Sequence, residues 1–319
     1  MRSPALTELF LPVSTFGTFA VDPCDGRNIN SGPNAAARLA NCRAAFGALG
    51  LPADYNLVSD IQSAAVTGTT GGNRELRNEK AESWSAGFVF TPRFFRALTL
   101  SADWIDIQIT DAIVNLNASS TLQACYDNPT FPSTICGNFV RGADGQITSI
   151  NTQFANAGFT RFSGLQADLQ YDLDLGRYGG LDLTAGFFYV DRRETSQSGA
   201  GYDLNRGDGE IGDSKYRVTA RAGYNLDRFN MLYEVLWRSS ALFDRDFTLE
   251  SRDQLRVDDY FLHSVSFGYD ILDRREDGKN VRLRFIVNNL FDKETPLPVS
   301  SPTYNLLGRY FTIGMNARF

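Results

Sequence analysis

The sequence has 319 residues, of which 43% are apolar and 21% charged, and its formal net charge is −6. This charge argues against a nucleic-acid partner, because binding phosphates needs a basic face. No run approaches the roughly 18 consecutive apolar residues of a membrane-spanning helix, so the chain either is soluble or crosses a membrane as strands. Aromatic residues make up 13% of the sequence, with 24 Phe and 13 Tyr, which suits the aromatic girdles of an outer-membrane barrel.

Residues 1–82 are rich in Pro, Gly, Asn and Ala and show no clean alternation of apolar and polar residues. Residues 35–47 are rich in Ala, Arg and Leu, and Asn34 precedes them as a candidate cap, which predicts a short helix. We expect residues 1–82 to be one long extracellular loop region rather than a separate domain. The first residues, Met1–Glu8, contain neither the apolar core nor the cleavage site of a secretory signal.

The four cysteines fall as two close pairs, Cys24 with Cys42 and Cys125 with Cys136, in loop-like sequence. Their spacings do not match the closely spaced doublets of a zinc site. Two local disulfides formed in an oxidising compartment explain them better than free thiols, although four cysteines still permit three pairings. Because disulfides require export and no signal is visible, we expect the chain to be a piece of a longer precursor.

From residue 83 to the end, apolar and polar residues alternate in nine segments, the pattern of strands with one apolar and one polar face. The clearest segment is Leu165–Leu175, in which eleven residues alternate without an error. Most segments are about 9–11 residues long, the length that a tilted transmembrane strand needs. We therefore predict an all-β fold in which residues 83–319 form antiparallel strands of a transmembrane β-barrel.

The connections between the predicted strands alternate in length. Short connections on one side and long loops on the other are typical of outer-membrane barrels, in which the short turns lie in the periplasm. The short connections are 92–97, 176–180, 227–228 and 273–280, and the long ones are 111–158, 191–215, 239–256 and 292–307. This alternation places the chain in the bacterial outer membrane, with long external loops.

Charged side chains occupy the polar face of several predicted strands. Ionisable groups are costly against lipid, so we expect these side chains to face the barrel lumen. There they would pair with a globular plug or line a wet pore. The residues are Asp168, Asp172, Asp174, Arg217, Arg221, Glu234, Arg238, Arg282, Arg284 and Arg318.

Three stretches of the sequence resemble one known family. The end of the chain reads N-N-L-F-D-K-E over Asn288–Glu294, and an alternating strand, Gly308–Phe319, follows and stops on an aromatic residue. Arg2–Phe10 resembles a family stretch that follows a mid-barrel strand, and Gly72–Ser83 resembles an entry into the next strand. In these stretches the chain resembles the TonB-dependent receptors, the plugged transporters of the bacterial outer membrane.

The resemblance implies a plugged barrel of about 22 strands, with about nine C-terminal strands here and the plug and earlier strands upstream of Met1. It implies active uptake of a bulky nutrient such as a siderophore, cobalamin or an oligosaccharide, driven by TonB acting on the plug. Phe319 and the alternating residues before it would be the signal for the barrel-assembly machinery. Arg74 and Asn78 depart from the family pattern, which usually has prolines there.

External loops and the plug apex bind the ligand in such receptors, so aromatic residues in the predicted loops are candidate ligand contacts. They would either stack on a small-molecule ligand or pack the loops against each other, and the sequence does not decide between the two. The candidates are Tyr126, Phe131, Phe243, Phe247 and Tyr304.

Nothing in the sequence indicates catalysis, since G-x-S-x-G, H-E-x-x-H, C-x-x-C and phosphate-loop motifs are absent. The single histidine, His263, falls at a position on the apolar face of its predicted strand. In Asp203–Glu210, side chains with oxygen atoms recur at alternate positions, as in a calcium-binding loop. The glycine is not at the position that an EF-hand requires, so a solvated loop is favoured over a calcium site. We predict no enzyme, no metal and no cofactor. The alternatives are a passive porin-like barrel that is complete as given and a secreted all-β enzyme or adhesin.

Overall fold

A computed structural model of the chain describes residues 1–95, 97–197, 204–245, 247–249, 253–274, 279–296, 304 and 307–318. The α-helices are α1 (Leu6–Phe10), α2 (Ala35–Ala48) and α3 (Ala118–Tyr126), and short 3-10 helices span Asp60–Gln62, Thr134–Asn138 and Gly176–Tyr178. The strands are β1 (Ser14–Thr18), β2 (Val66–Thr70), β3 (Lys80–Phe90), β4 (Leu98–Asn115), β5 (Phe139–Arg141), β6 (Ile147–Asn151), β7 (Phe154–Asp174), β8 (Gly180–Ser196), β9 (Asn205–Arg206), β10 (Tyr216–Leu226), β11 (Phe229–Arg238), β12 (Ala241–Leu242), β13 (Arg256–Val257), β14 (Tyr260–Arg274), β15 (Lys279–Asn288) and β16 (Tyr310–Arg318).

The chain divides into two compact units, each assembled from three stretches of sequence. The first unit comprises Met1–Glu82, Ile107–Arg161 and Glu194–Asn205. The second unit comprises Ser83–Asp106, Phe162–Arg193 and Arg206–Phe319. The divisions fall inside β3, β4, β7, β8 and β9, so these five strands contribute residues to both units.

The large sheet follows the order of the chain. Its strands lie in the order β16-β15-β14-β11-β10-β8-β7-β4-β3, and β9 pairs with β8 beside this path. The pairs from β8 to β16 along this path are antiparallel. The nine strands predicted from the alternating segments are therefore confirmed, and they form one large sheet.

The alternation of short and long connections is present in the structure. Two residues, Asp227 and Arg228, join β10 to β11, whereas residues 239–259 separate β11 from β14. The short connection between β7 and β8 contains Gly179 at φ 91°. A side chain there would meet the carbonyl oxygen of Asn225 at 2.2 Å, so this tight turn requires glycine.

The apolar face of the large sheet is exposed instead of packed into a core. On β16 the side chains of Phe311, Ile313 and Met315 are 62%, 74% and 70% exposed. Phe285 on β15 lies opposite Ile313 and stacks on Phe311 with ring centroids 6.1 Å apart. Contiguous apolar surface of this kind is typical of a face that contacts lipid.

The first unit contains a four-stranded sheet in the order β1-β2-β6-β5. The pairs β1–β2 and β5–β6 are antiparallel, and β2–β6 is parallel. Each of these strands has at most five residues, too few to produce a clear alternation. Nothing in the sequence pattern had indicated this small sheet.

Helix α2 begins after Asn34, whose side chain accepts a hydrogen bond from the Ala37 N–H. This is the cap expected from the sequence, since an N-cap oxygen satisfies one of the unpaired N–H groups of the first turn. The helix ends at Ala48, one residue beyond the predicted stretch.

Two disulfides lie in the core of the first unit. The bonds join Cys24 to Cys42 and Cys125 to Cys136, which confirms the two local pairings. The two bridges and the helices α2 and α3 surround one apolar cluster, and a second cluster lies nearby. The first contains Cys24, Ile29, Cys42, Phe46, Leu57, Cys125 and Tyr126, and the second contains Ala20, Ile61, Ala118, Leu122, Ile147 and Ile150.

Among the described residues, none of the helices combines the length and the apolar character needed to cross a membrane.

Candidate functional site

The charged residues predicted on the polar face lie on the large sheet, and some of them form ion pairs. Arg221 on β10 lies directly opposite Glu234 on β11, and the Arg221 Nε donates to the Glu234 carboxylate at 2.5 Å. Residues that lie opposite each other in an antiparallel pair have side chains on the same face. The sheet thus carries a complementary pair of charges at this point of its polar face.

A second ion pair involves Asp270, which was not among the residues predicted from the sequence. Asp270 on β14 lies opposite Arg282 on β15, and the guanidinium donates two hydrogen bonds to its carboxylate, at 2.6 and 2.8 Å. Asp270 sits between Tyr269 and Ile271, so the alternation that identified the strand also places Asp270 on the polar face. The partner of Arg282 was therefore readable from the sequence.

The three aspartates of β7 have different surroundings. Asp168 and Asp172 accept hydrogen bonds from Gln166 and Gln170, each at 3.0 Å. Asp174, the last residue of the strand, accepts a hydrogen bond from the Gly176 N–H at 2.8 Å. The Asp174 carboxylate therefore shapes the turn that leads to β8, besides lying at the end of the polar face.

Two clefts open on this face. One of about 510 Å³ is lined in part by Ser101, Asp168, Thr184 and Arg221. The other, of about 250 Å³, is lined by Asn280, Arg282, Arg284, Gly314, Met315 and Asn316. Arg284 belongs to the second cleft, and Arg318, also predicted on this face, is exposed at the end of β16.

Arg217 and Arg238 lie directly opposite each other on β10 and β11. In the described part of the chain neither guanidinium contacts a carboxylate, and the Nε atom of each is buried without a hydrogen-bond partner. On the neighbouring strand β8, Phe188 lies opposite Arg217, and on the neighbouring strand β14, Tyr260 lies opposite Arg238. Phe188 and Tyr260 were not among the candidates from the sequence, because only charged side chains had been considered at polar-face positions.

Tyr126, a candidate ligand contact, is a packing residue of the first unit. Its side chain is 2% exposed and stacks on Phe131 with ring centroids 5.8 Å apart. The Tyr126 hydroxyl accepts a hydrogen bond from the Arg141 Nε at 2.7 Å. Burial raises the pKa of the Tyr126 hydroxyl, and the Arg141 charge opposes this shift only in part. Tyr126 therefore cannot stack on a ligand, and the alternative, packing between loops, applies to it; Phe131 is half-buried.

A buried polar network adjoins Tyr126. Asp22 accepts hydrogen bonds from the Arg141 guanidinium at 2.7 and 2.9 Å and from the Ser59 hydroxyl at 2.7 Å. Burial lowers the pKa of the Arg141 guanidinium, but the hydrogen bonds and charge of Asp22 outweigh burial and raise it. A second buried pair joins Arg38 to Asp127 at 2.6 Å. These pairs hold together segments that are far apart in the sequence.

The candidates in the second unit also differ in accessibility. Tyr304 is buried and makes an edge contact with Tyr260, with ring centroids 5.0 Å apart. Phe243 is half-buried against the same cluster, which also contains Ala241 and Val257. Phe247 is exposed. Packing within the loop accounts for Tyr304 and Phe243, whereas the exposed Phe247 remains a candidate ligand contact.

The segment with alternating oxygen ligands, Asp203–Glu210, contains an aspartate that is paired with basic residues. Asp208 contacts Arg245 at 3.3 Å and Lys215 at 3.9 Å, and Asp213 pairs with Arg193. Asp203, the first residue of the candidate loop, lies outside the described residues, as does Phe319, the proposed assembly signal. Within the described ranges, no group of three or more His, Cys, Asp or Glu residues could hold a metal ion.

Comparison with known proteins gives the family. A family model described as "TonB dependent receptor-like, beta-barrel" matches residues 28–290, more than half of the chain. None of the curated proteins matches the sequence significantly.

Solved structures support the same fold. The siderophore receptor PirA from Acinetobacter baumannii is similar at a TM-score of 0.52 and 18% identity, over 79% of this chain and 34% of PirA. A double mutant of the ferric enterobactin receptor PfeA from Pseudomonas aeruginosa is similar at a TM-score of 0.50 and 15% identity, over 80% of this chain and 33% of PfeA. The chain thus spans about a third of the length of these receptors. The chain belongs to the TonB-dependent receptor-like β-barrel family, which resides in the outer membrane of Gram-negative bacteria.

Proposed function

We propose that this chain supplies strands and external loops to a TonB-dependent receptor that imports a bulky, scarce nutrient, and that the nutrient is an iron–siderophore complex. The observation that carries this proposal is the match of the family model over residues 28–290. The names of the similar structures, a siderophore receptor and a ferric enterobactin receptor, favour iron chelates over cobalamin and oligosaccharides.

The polar face of the large sheet would line the lumen and contact a plug. Ion pairs such as Arg221–Glu234 and Arg282–Asp270 balance part of the charge, while Arg284 leaves a positive charge in a cleft. A surface of mixed charge suits a protein plug, which can present complementary groups. The plug and the remaining strands would come from sequence outside these 319 residues, in keeping with the third of the related receptors that the chain spans.

Transport would proceed by conformational gating without bond chemistry. The external loops would first hold the ligand, with the accessible aromatic candidates Phe131 and Phe247 near it. TonB would then act on the plug, and the ligand would pass along the polar face. A ligand can shift a conformational equilibrium only through its different affinity for the two states, so binding at the outer end must weaken when the plug moves.

The proposal can be tested by uptake into cells. The receptor that carries this chain is expressed in a Gram-negative host that lacks its own siderophore receptors, with or without TonB. We expect accumulation of iron from a radiolabelled ferric siderophore only in the host with TonB. Equal uptake in both hosts would indicate the passive porin-like alternative, and uptake of no iron chelate would contradict the siderophore assignment.

The contact with the plug has its own test. Deleting the plug from the receptor should open a large conductance in planar bilayers, because a polar lumen without a plug fills with water. A conductance that stays the same after the deletion would count against plug contact by the polar face.

A further inference from the structure

Four residues lie side by side across the polar face of the large sheet. Phe188 on β8 is opposite Arg217 on β10, Arg217 is opposite Arg238 on β11, and Arg238 is opposite Tyr260 on β14. We call these four residues the arginine row. Because residues directly opposite each other share a face, the two guanidinium groups are neighbours on the polar side.

The two arginines of this row have no counter-charge in the described part of the chain. Like charges directly opposite each other in a sheet are destabilising. The Nε atoms of Arg217 and Arg238 are both buried without a hydrogen-bond partner, and leaving such a donor unsatisfied is costly. Apart from its burial, the groups that act electrostatically on Arg238 are Arg217, Tyr260 and Tyr304, and none of these is a carboxylate.

The same two strands show the contrasting arrangement four residues further along. There Arg221 faces Glu234, and the two side chains form an ion pair. The sheet can therefore place an acid opposite an arginine, yet at the arginine row it places a second arginine. Two adjacent, partly buried guanidinium groups are a binding arrangement for an oxyanion, since each offers paired N–H donors in a fixed plane.

Aromatic side chains hold this row in place. The Arg217 guanidinium lies 4.7 Å from the centre of the Phe188 ring, and Phe188 stacks on Phe162 with centroids 6.0 Å apart. On the other side, Tyr260 and Tyr304 make an edge contact. Such contacts restrict the arginine rotamers before a ligand arrives, which reduces the entropy lost on binding.

Tyr304 is buried beside Arg238. Burial raises the pKa of Tyr304, while the Ser214 hydroxyl and the Arg238 charge lower it in part. The Tyr304 hydroxyl therefore stays neutral at pH 7 and supplies no counter-charge to Arg238.

The arginine row lies at the end of the sheet where the long connections attach. Arg217 is the second residue of β10, Arg238 is the last residue of β11, and Tyr260 is the first residue of β14. In an outer-membrane barrel this end faces the cell exterior. A ligand that arrives from outside would meet this row before the rest of the polar face.

We propose that Arg217 and Arg238 bind an oxyanion of the imported ligand, a carboxylate or phenolate group, so that the receptor selects a negatively charged chelate over a neutral one. This assignment rests on the proposed function and narrows its ligand class.

The test uses the purified receptor in detergent with two probes, an anionic ferric catecholate and a neutral ferric hydroxamate. Binding is measured by quenching of tryptophan fluorescence. Arg217→Gln/Arg238→Gln should weaken binding of the anionic probe by about tenfold or more, as expected for losing charge-assisted hydrogen bonds. Binding of the neutral probe should not change, and added salt should weaken only the binding of the anionic probe to the wild type.

Matched controls separate charge from folding. Arg93→Gln/Arg177→Gln removes the same charge from two exposed arginines in short connections of the large sheet and should leave both affinities unchanged. Arg217→Lys/Arg238→Lys keeps the charge and should restore part of the affinity for the anionic probe. Because the glutamine variant removes a repulsion between like charges, its melting temperature without ligand should not fall.

Two results would overturn the assignment. The first is TonB-dependent uptake of a chelate whose binding does not depend on its charge or on Arg217 and Arg238; the proposed function would then stand without this site. The second is a loss of stability in the ligand-free glutamine variant with unchanged binding, which would mean that a carboxylate of the receptor itself occupies the row. Failure of the proposed function is distinguished by uptake that does not depend on TonB.

Discussion

The two compact units of this chain use their apolar residues in opposite ways. The first unit buries them around two disulfides, with Phe46 and Leu57 almost inaccessible. The second unit places them on an exposed sheet face, as Ile313 and Met315 on β16 illustrate. The exposed apolar residues of the second unit are therefore not a sign of poor packing, because lipid covers the apolar face of an outer-membrane sheet.

The units differ in the same way in their ion pairs. The side chains of Asp22 and Arg141 in the first unit are 0% and 5% exposed, whereas those of Glu234 and Arg221 in the second are 38% and 55% exposed. The stability of the fold depends strongly on both members of a buried ion pair, since removal of one leaves the other charge unpaired in a medium of low polarity. A solvent-exposed ion pair contributes much less to stability, because water screens each charge.

The largest effect is expected at the buried pair. Arg141→Met leaves the Asp22 carboxylate buried without its main donor, which should destabilise the first unit by about 3–5 kcal/mol. Protease protection of the first unit in the intact receptor should fall, while heat-modifiable migration of the barrel stays the same. Arg43→Met is the control, because Arg43 donates to the carbonyl oxygen of Tyr55 and its loss should cost only about 1 kcal/mol. Equal effects of the two variants would contradict the role given to the buried pair.

The next effect contrasts two exposed apolar residues in different surroundings. Leu283→Arg on β15 places a charge on the apolar face and should cost about 2–4 kcal/mol if this face contacts lipid near the membrane centre. Val58→Arg changes a residue of the first unit that is also exposed and should change stability by no more than about 0.5 kcal/mol, as surface substitutions in water do. Urea unfolding in bilayers measures the first and protease protection the second. A harmless Leu283→Arg would contradict lipid contact at this position.

The contrast between the units also explains what the sequence could predict. The strands of the large sheet were readable because their two faces meet different media, which forces an alternation over about ten residues. Asp270 follows from the same alternation, between Tyr269 and Ile271. The small sheet of the first unit was not readable, because β5 and β6 are short and their burial depends on α3 and the disulfides, which come from other parts of the sequence.

The candidate site was predictable to a similar extent. Parity placed Arg217 and Arg238 on the polar face, and the two-residue connection at 227–228 places them opposite each other. The sequence did not reveal that the Nε atoms of both are buried without a hydrogen-bond partner. The burial of Tyr126 was equally hidden, since it results from contacts with Phe131 and with Arg141 across a disulfide-linked loop. Tertiary contacts of this kind leave no periodic pattern in the sequence.

A smaller effect is expected at the solvated ion pair of the large sheet. Arg221→Gln should reduce stability by only about 0.2–1 kcal/mol, because both side chains remain accessible to water and the charges are screened. The double variant Arg221→Gln/Glu234→Gln should be no less stable than the single one, and a double-mutant cycle in urea isolates the pair. A loss as large as that of Arg141→Met would show that this pair is as strongly desolvated as the buried one.

The smallest effect is a pH dependence at Asp25. A hydrogen bond from Arg27 holds the pKa of Asp25 below its ordinary value of 3.8, and the Ser59 N–H acts in the same direction against burial. A folded-state pKa below the unfolded value means that Asp25 contributes its full stability above pH 3.8 and loses it as the pH falls further. Asp25→Asn should therefore flatten the acid side of the stability profile of the first unit, measured by protease protection between about pH 6 and pH 3. Because Arg27 is largely exposed, added salt should reduce the difference between the variant and the wild type. A difference that grows as the pH falls would reverse the sign of this linkage and contradict the lowered pKa.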